Sequence, residues 1–208
     1  MTDLYLIRHA DFTTGLKDGT YADLGLTPLG VRQTERLRDR LTATGEIKAD
    51  ALISSPLPRA RQTAEILADA LGVPVVLDKE LEEWRNEDGS LSEEAFMERV
   101  MATPDAQVPF ARWVPGCENW LEFSIRAASA LDRIVREHAD KTSVIVCHGG
   151  IIEVSLSLFF GLSGAPLRRL NVDSGYTSIT HWQHVVPPPG FLSEWLLERY
   201  NDCAHLRE

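Results

Sequence analysis

Apolar residues in this chain fall into short closed runs, separated by longer stretches in which they recur every three or four positions. The short runs are Leu4–Ile7, Ala51–Ser54, Val73–Leu77 and Ser143–Cys147. Four or five consecutive residues dominated by Leu, Ile and Val, without polar alternation, predict strands buried on both faces, as in a parallel sheet. Helical stripes lie between them. Thr27-Pro28 is an N-cap followed by proline at the first helical position, and Leu29, Gln33, Leu37 and Leu41 continue at helical spacing to Gly45. A second stripe, Ala60, Ala64, Leu67 and Leu71, stops at Gly72. Trp120, Phe123, Ala127, Leu131 and Ile134 mark a long helix, and Ile151–Phe160 marks another that ends at Gly161. Strand-helix alternation of this kind predicts an α/β fold: a three-layer α/β/α sandwich with a mostly parallel central sheet and helices on both faces.

Two regions break the rhythm. The segment from His9 to Gly25 reads as a polar, Gly-rich loop. Residues 86–118 hold a short helix, Ser92–Met101, followed by Thr103-Pro104, a proline-rich stretch and Pro115-Gly116. That is too long for a plain connection and predicts a covering insert at about 84–120 within one domain spanning 1–208. Tyr176–Gln183 and Phe191–Arg199 alternate well enough for two further strands, with Pro187-Pro188-Pro189 as a stiff connection between them.

Charge narrows the choice of partners. A formal net charge of -10 disfavours nucleic-acid and anionic-membrane surfaces, so an anion site must be a local positive pocket. No apolar run is long enough to span a bilayer, and the start of the chain lacks a signal-peptide pattern. Cys117, Cys147 and Cys203 have no metal-ligand spacing, which favours free thiols in a reducing cytoplasm.

In an open α/β sheet, ligands bind beyond the carboxyl ends of the strands. The first strand ends in Arg8-His9. The second leads through Ser55-Pro56-Leu57-Pro58 to Arg59, in the first turn of a helix. The third leads to Glu82-Glu83, and the fourth ends in His148-Gly149-Gly150. Alone, each is weak; a histidine after a strand is commonly structural and Glu83 is one of many carboxylates. Together they have the chemistry of a phosphoryl site. Two arginine forks match phosphate oxygens, and glycines at a helix start let an anion approach backbone N–H groups. One histidine can attack while the other donates a hydrogen bond. Arg8 should hold His9 neutral and nucleophilic, and a carboxylic acid, Glu82 or Glu83, can protonate the leaving oxygen. No carboxylate cluster points to a metal, and no cofactor is expected.

Leu6-Ile7-Arg8-His9, Ser54-Ser55-Pro56-Leu57-Pro58-Arg59-Ala60-Arg61-Gln62-Thr63-Ala64 and Val146-Cys147-His148-Gly149-Gly150 resemble the histidine phosphatase superfamily, the phosphoglycerate-mutase-like proteins. Leu26–Gln33 and the ending Asn201-Asp202-Cys203-Ala204-His205-Leu206 fit the same pattern. The resemblance implies His9 as the phosphorylated nucleophile. Arg8, Arg59 and His148, with Gly149, become the phosphate pocket. Leu81-Glu82-Glu83 matches the family's Leu-x-Glu segment, which puts the proton donor at Glu83. The chain also departs from the pattern. Ala10 replaces the usual glycine, Asp11-Phe12-Thr13-Thr14-Gly15 lacks the mutase run, and Glu118-Asn119 stands where Glu-Ser is common. The expected activity is a metal-independent phosphomonoesterase acting on a small phosphorylated metabolite through phosphohistidine. The alternatives are a phosphoglycerate mutase and a phosphate-binding regulatory module with little catalysis. Substrate choice is expected from residues 84–120, where Trp84, Arg85, Arg112, Trp113 and Trp120 mix aromatic and cationic groups; the plain alternative has the tryptophans in the core and the arginines solvated.

Overall fold

The computed structural model describes residues 1–162, 172–186 and 194–207, apart from the side chains of Tyr21 and Glu93. A six-stranded sheet runs in the order β5-β4-β6-β1-β7-β8. Its parallel part comprises β1 (Thr2–Arg8), β4 (Ala51–Ser54), β5 (Val75–Leu77) and β6 (Thr142–Cys147). The last two strands, β7 (Ile179–Val185) and β8 (Glu194–Asp202), join antiparallel at one edge. All four predicted parallel strands are present, so their carboxyl ends share one rim.

The central strands are apolar on both faces because each face is covered by helices. Tyr5 and Ile7 of β1, with Val144 and Val146 of β6, pack on Leu37 and Leu41 of α1 (Pro28–Thr44) and Ala60, Ala64 and Leu67 of α2 (Pro58–Leu71). The alternate residues, Leu4, Leu6, Ile145 and Cys147, face α4 (Trp120–Glu137) and α5 (Gly149–Phe159) through Phe123, Leu131, Ile134 and Ile151. A period of two on the strand and 3.6 on the helix produces the three layers. Strand β5 is an edge, and its Val76 remains 57% exposed.

The polar segment after His9 is a β-hairpin, not a loop: β2 (Phe12–Lys17) pairs with β3 (Thr20–Leu26). Its turn is Asp18-Gly19, both at positive φ (53° and 85°), as a tight two-residue hairpin requires. The strands escape periodicity because most of β2 is solvent-exposed on both sides. Helix α1 buries Leu37 and Leu41 as expected, but its first two turns bury other positions than Leu29 and Gln33. Leu29 is 48% exposed, whereas Gly30, Thr34, Leu37 and Leu41 are buried. Gly30 sits under the hairpin's base, where a Cβ would lie 1.9 Å from the Asp11 carbonyl oxygen, so no larger residue fits. Helix α5 begins at Gly149, two residues earlier than expected, so the paired glycines form its first turn. The expected helix Ser92–Met101 appears as α3 (Glu93–Ala102), capped by Ser92. The proline run at 187–189 and the start of the strand expected at Phe191 lie outside the described residues.

Asn119 accounts for one departure from the family pattern. Its side chain accepts the Glu122 N–H while Glu122 reaches back to the Asn119 N–H, a complete capping box at the start of α4. Asparagine therefore performs the capping a serine would perform.

Candidate active site

Arg8 ends β1, and its backbone is gripped from both sides: its N–H donates to Ser178 and its carbonyl accepts the Thr177 N–H. Thr177 holds φ 57°, a costly conformation for a β-branched residue, and its hydroxyl bonds His205 at 2.8 Å. The ending around Asn201–Leu206 thus braces the strand end: Asn201 Oδ1 accepts the Gly175 N–H at 2.7 Å, and His205 anchors Thr177. The segment it holds supplies the Ser174 carbonyl to Arg8 Nη1 and the Tyr176 ring beneath the guanidinium, 4.8 Å from the centroid.

His9 is 3% exposed. Its Nδ1 lies 2.8 Å from the carbonyl oxygen of Ala10, which accepts the ring N–H and leaves Nε2 with a lone pair. The Ala10 N–H itself is held by Thr63 Oγ1 at 3.1 Å. Arg59 Nε donates toward His9 Nε2 at 3.2 Å. Burial first, then the positive charges of Arg59 and Arg8, lower the His9 pKa to about 3, despite the opposing Ala10 hydrogen bond. His9 is therefore a neutral imidazole with a defined tautomer.

Arg59 is positioned by the hairpin. Asp23 Oδ2 accepts both Arg59 Nη1 (2.9 Å) and the Arg59 backbone N–H (3.2 Å). The Phe12 ring lies 4.5 Å from the guanidinium carbon and packs edge-on against His9. Neither Phe12 nor Asp23 was expected in the site, because the segment read as a loop. The signal was Asp18-Gly19, whose turn folds residues 12 and 23 onto the rim.

His148 is fully buried at the start of α5. Ser55 Oγ bonds its Nε2 at 2.8 Å, and burial followed by Arg59, His9 and Arg8 holds its pKa well below the usual histidine range. Its Nδ1 is buried with no protein partner. Gly149 packs against Arg8, whose Nε would lie 3.8 Å from a Cβ there.

The two carboxylates after β5 separate cleanly. Glu82 points away and accepts Arg85 Nε at 2.7 Å. Glu83 turns to the rim, where Oε2 accepts the Gly150 N–H (3.1 Å) and Oε1 accepts the Trp84 N–H (3.0 Å). A Cβ on Gly150 would come within 2.2 Å of Glu83 Oε1, so this second glycine is required for close approach. Arg126, on α4, clamps the segment from behind. It donates to the carbonyls of Glu80, Glu82 and Glu83 and is neutralised by Glu118, 2.7 Å from its Nε. Glu118 also accepts the Arg85 N–H. Sequence reasoning missed this clamp, although Glu118 belongs to a segment compared there with the family.

Of the aromatic and cationic residues in 84–120, the tryptophans are buried together. Trp84 packs on Trp113 and Trp120 with centroids 4.9 and 5.2 Å apart. Arg85 is engaged by Glu82 and Glu118, and Arg112 by Glu122 and the Cys117 carbonyl.

The buried neutral histidines have a thermodynamic consequence. Histidines in the unfolded chain titrate near 6.5, whereas His9 and His148 stay neutral far below that when folded. Below about pH 6.5 the unfolded state therefore binds more protons, and stability is lost as pH falls. Each histidine should contribute a slope of about 1.4 kcal/mol per pH unit. Urea midpoints between pH 7.5 and 4.5 should fall accordingly, and His9→Gln should flatten the slope by about one proton. An unchanged slope in that variant would mean His9 is protonated when folded.

The fold is an α/β sandwich whose strand ends gather two histidines, two arginines and a glutamate on one rim, with a neutral imidazole among them. The chain belongs to the histidine phosphatase superfamily (branch 1), whose family model matches residues 4–187. A probable phosphoglycerate mutase of Yersinia pestis, GpmB, is 30% identical over 217 residues, covering 99% of this chain and 95% of the relative. YhfR of Bacillus stearothermophilus superposes over 100% of both chains with a TM-score of 0.75 at 24% identity. A phosphoserine phosphatase mutant of Entamoeba histolytica, solved with phosphoserine, superposes over 100% of both chains with a TM-score of 0.68 at 22% identity. The two structures bear on the fold. Among the described residues, no helix is long and apolar enough to cross a membrane.

Proposed function

We propose that the chain is a phosphomonoesterase that hydrolyses a small phosphorylated substrate through a phosphohistidine on His9. The observation that carries this reading is the neutral His9 with its Nε2 lone pair beside Arg59. Arg8, Arg59, His148 through its unpartnered Nδ1 and the Gly149 turn bind the phosphoryl oxygens. His9 Nε2 attacks phosphorus, and the bond from phosphorus to the ester oxygen breaks. Glu83 gives its proton to that oxygen as it leaves. The Nδ1–H stays on the ring, and the Ala10 carbonyl offsets the positive charge that develops there. Glu83, now a carboxylate, then takes a proton from water as the water attacks phosphohistidine. Inorganic phosphate departs and the neutral imidazole returns. The chain 1–208 acts in this reading as one catalytic domain, in which residues 84–120 cover the Glu83 side.

The arginines supply the charge stabilisation that a metal supplies elsewhere, so phosphate release should survive chelator and stop with vanadate. Arg59→Ala should cost ~10²–10³ in rate, with little recovery in Arg59→Lys, because a point charge does not reproduce the fork. Chelator-sensitive activity restored by Mg²⁺ would overturn the metal-free reading. The likeness to GpmB supports a second reading, a phosphoglycerate mutase. Interconversion of phosphoglycerates that depends on a bisphosphate primer, with little free phosphate, would select it.

A further inference from the structure

Beside Glu83, on the side of the insert, lies a cavity of about 350 Å³. Its wall is formed by Trp84, Trp113, Trp120, Phe96, Met97 and Val100, and closed at the site end by Glu83 and Gly150; Asn86 supplies a side-chain amide. Glu83 is the only charged group among the described residues of that wall. None of the neighbouring arginines is among the cavity's lining residues. Arg85 and Arg112 are tied to carboxylates, Arg126 is tied to Glu118, and Arg99, which keeps its charge, is turned onto the Trp113 carbonyl at 2.7 Å. A leaving group with its own carboxylate or second phosphate would find no cation among the described residues of this wall, and would meet mostly apolar surface. An uncharged ring would exchange water for aromatic and thioether contacts.

From this wall we infer that the cavity is the leaving-group subsite and that it selects phosphomonoesters of uncharged aromatic or bulky apolar alcohols. The inference rests on the phosphatase reading, because the proton donor must touch the ester oxygen, and Glu83 borders the cavity. The alcohol therefore projects from the phosphate, past Glu83, toward the tryptophans. Phe96 closes edge-on over Trp113, and Met97, 46% exposed on α3, forms the rim. An unbranched thioether rim adapts to rings of differing shape.

The test uses esters whose leaving groups all depart as alkoxides, so that proton donation is equally demanded of each. These are 2-naphthylmethyl phosphate, benzyl phosphate, ethyl phosphate, glycerol phosphate and 3-phosphoglycerate. The benzylic esters should exceed ethyl and glycerol phosphate in kcat/KM by about 10–100-fold, the worth of burying one ring-sized apolar group. Met97→Glu should collapse that ratio to within about threefold. Met101→Glu, on the exposed side of α3 where the residue is 80% accessible, should keep it. Binding of 2-naphthylmethylphosphonate against methylphosphonate, measured by calorimetry, gives the same comparison without turnover. Equal binding of the two phosphonates, or His9-dependent hydrolysis that favours glycerol phosphate or 3-phosphoglycerate, would overturn the inference and leave the phosphatase reading standing. Selective binding of the naphthyl phosphonate with no ester hydrolysed would overturn the phosphatase reading and leave the subsite standing.

Discussion

His9→Ala should reduce turnover by a factor on the order of 10⁴–10⁶, the scale on which removing a nucleophile is felt. The expectation follows from how completely the site commits this ring. The Ala10 carbonyl holds Nδ1–H, so Nε2 alone can attack, and burial beside two arginines keeps it unprotonated at mildly acidic pH. An exposed histidine near 6.5 would lose its nucleophile as the pH fell toward 5, whereas here any acid limb in kcat/KM should have another origin. Rapid quenching under neutral or alkaline conditions after mixing with labelled substrate should trap an acid-labile phosphate on His9. His148→Asn should still form that label, more slowly, because His148 holds oxygens in this reading and does not attack. Normal turnover by His9→Ala, or label found on His148, would refute the assignment.

Glu83→Gln should slow alkyl phosphates by ~10²–10⁴ and spare p-nitrophenyl phosphate much more. An alkoxide is a strong base and leaves poorly without a proton, whereas p-nitrophenolate is stable without one. Glutamine keeps the size of the side chain, and its one carbonyl oxygen can still accept either the Gly150 or the Trp84 N–H, while Arg126 continues to hold the backbone carbonyls of the segment. Glu82→Gln is the control. Glu82 faces Arg85, and losing that partly exposed ion pair should change rate little. Equal losses on both ester types in Glu83→Gln would show that the residue only shapes the site. A selective loss in Glu82→Gln would move the acid back by one position.

The choice between Glu82 and Glu83 shows where reading a sequence stops. Adjacent residues after a strand point in different directions, and which one reaches the rim depends on the path of the chain beyond it. That path is imposed by Arg126 and Glu118, more than thirty positions away, which hold the carbonyls of Glu80, Glu82 and Glu83 in one arc. Adjacency supports the family's Leu-x-Glu match here, but only the clamp gives it a physical cause.

Other features were legible because they are local. Unbroken apolar runs occur where strands are covered on both faces, as Leu4–Ile7 and Val144–Cys147 are, and they end where polar groups must meet solvent or a ligand. That alone placed Arg8, His9, Arg59 and His148 along one rim, since parallel strands present their carboxyl ends together. Helix ends were legible through Thr27-Pro28, Gly45 and Gly72, whose side-chain caps or positive φ angles are properties of single residues. The antiparallel edge was not, because the direction of β7 and β8 depends on pairing with β1 and β7, and alternation looks the same in either direction. The hairpin was hidden because its strands bury little, although it carries Phe12 against His9 and Asp23 against Arg59. The sequence by itself therefore determined the parallel part of the sheet, the helices that cover it and the chemical types gathered at its rim. The tertiary structure decided the protonation and aim of His9, the identity of the rim carboxylate and the apolar wall beside it. Those depend on burial, on charges brought together from distant positions, and on side chains that meet only when the layers close.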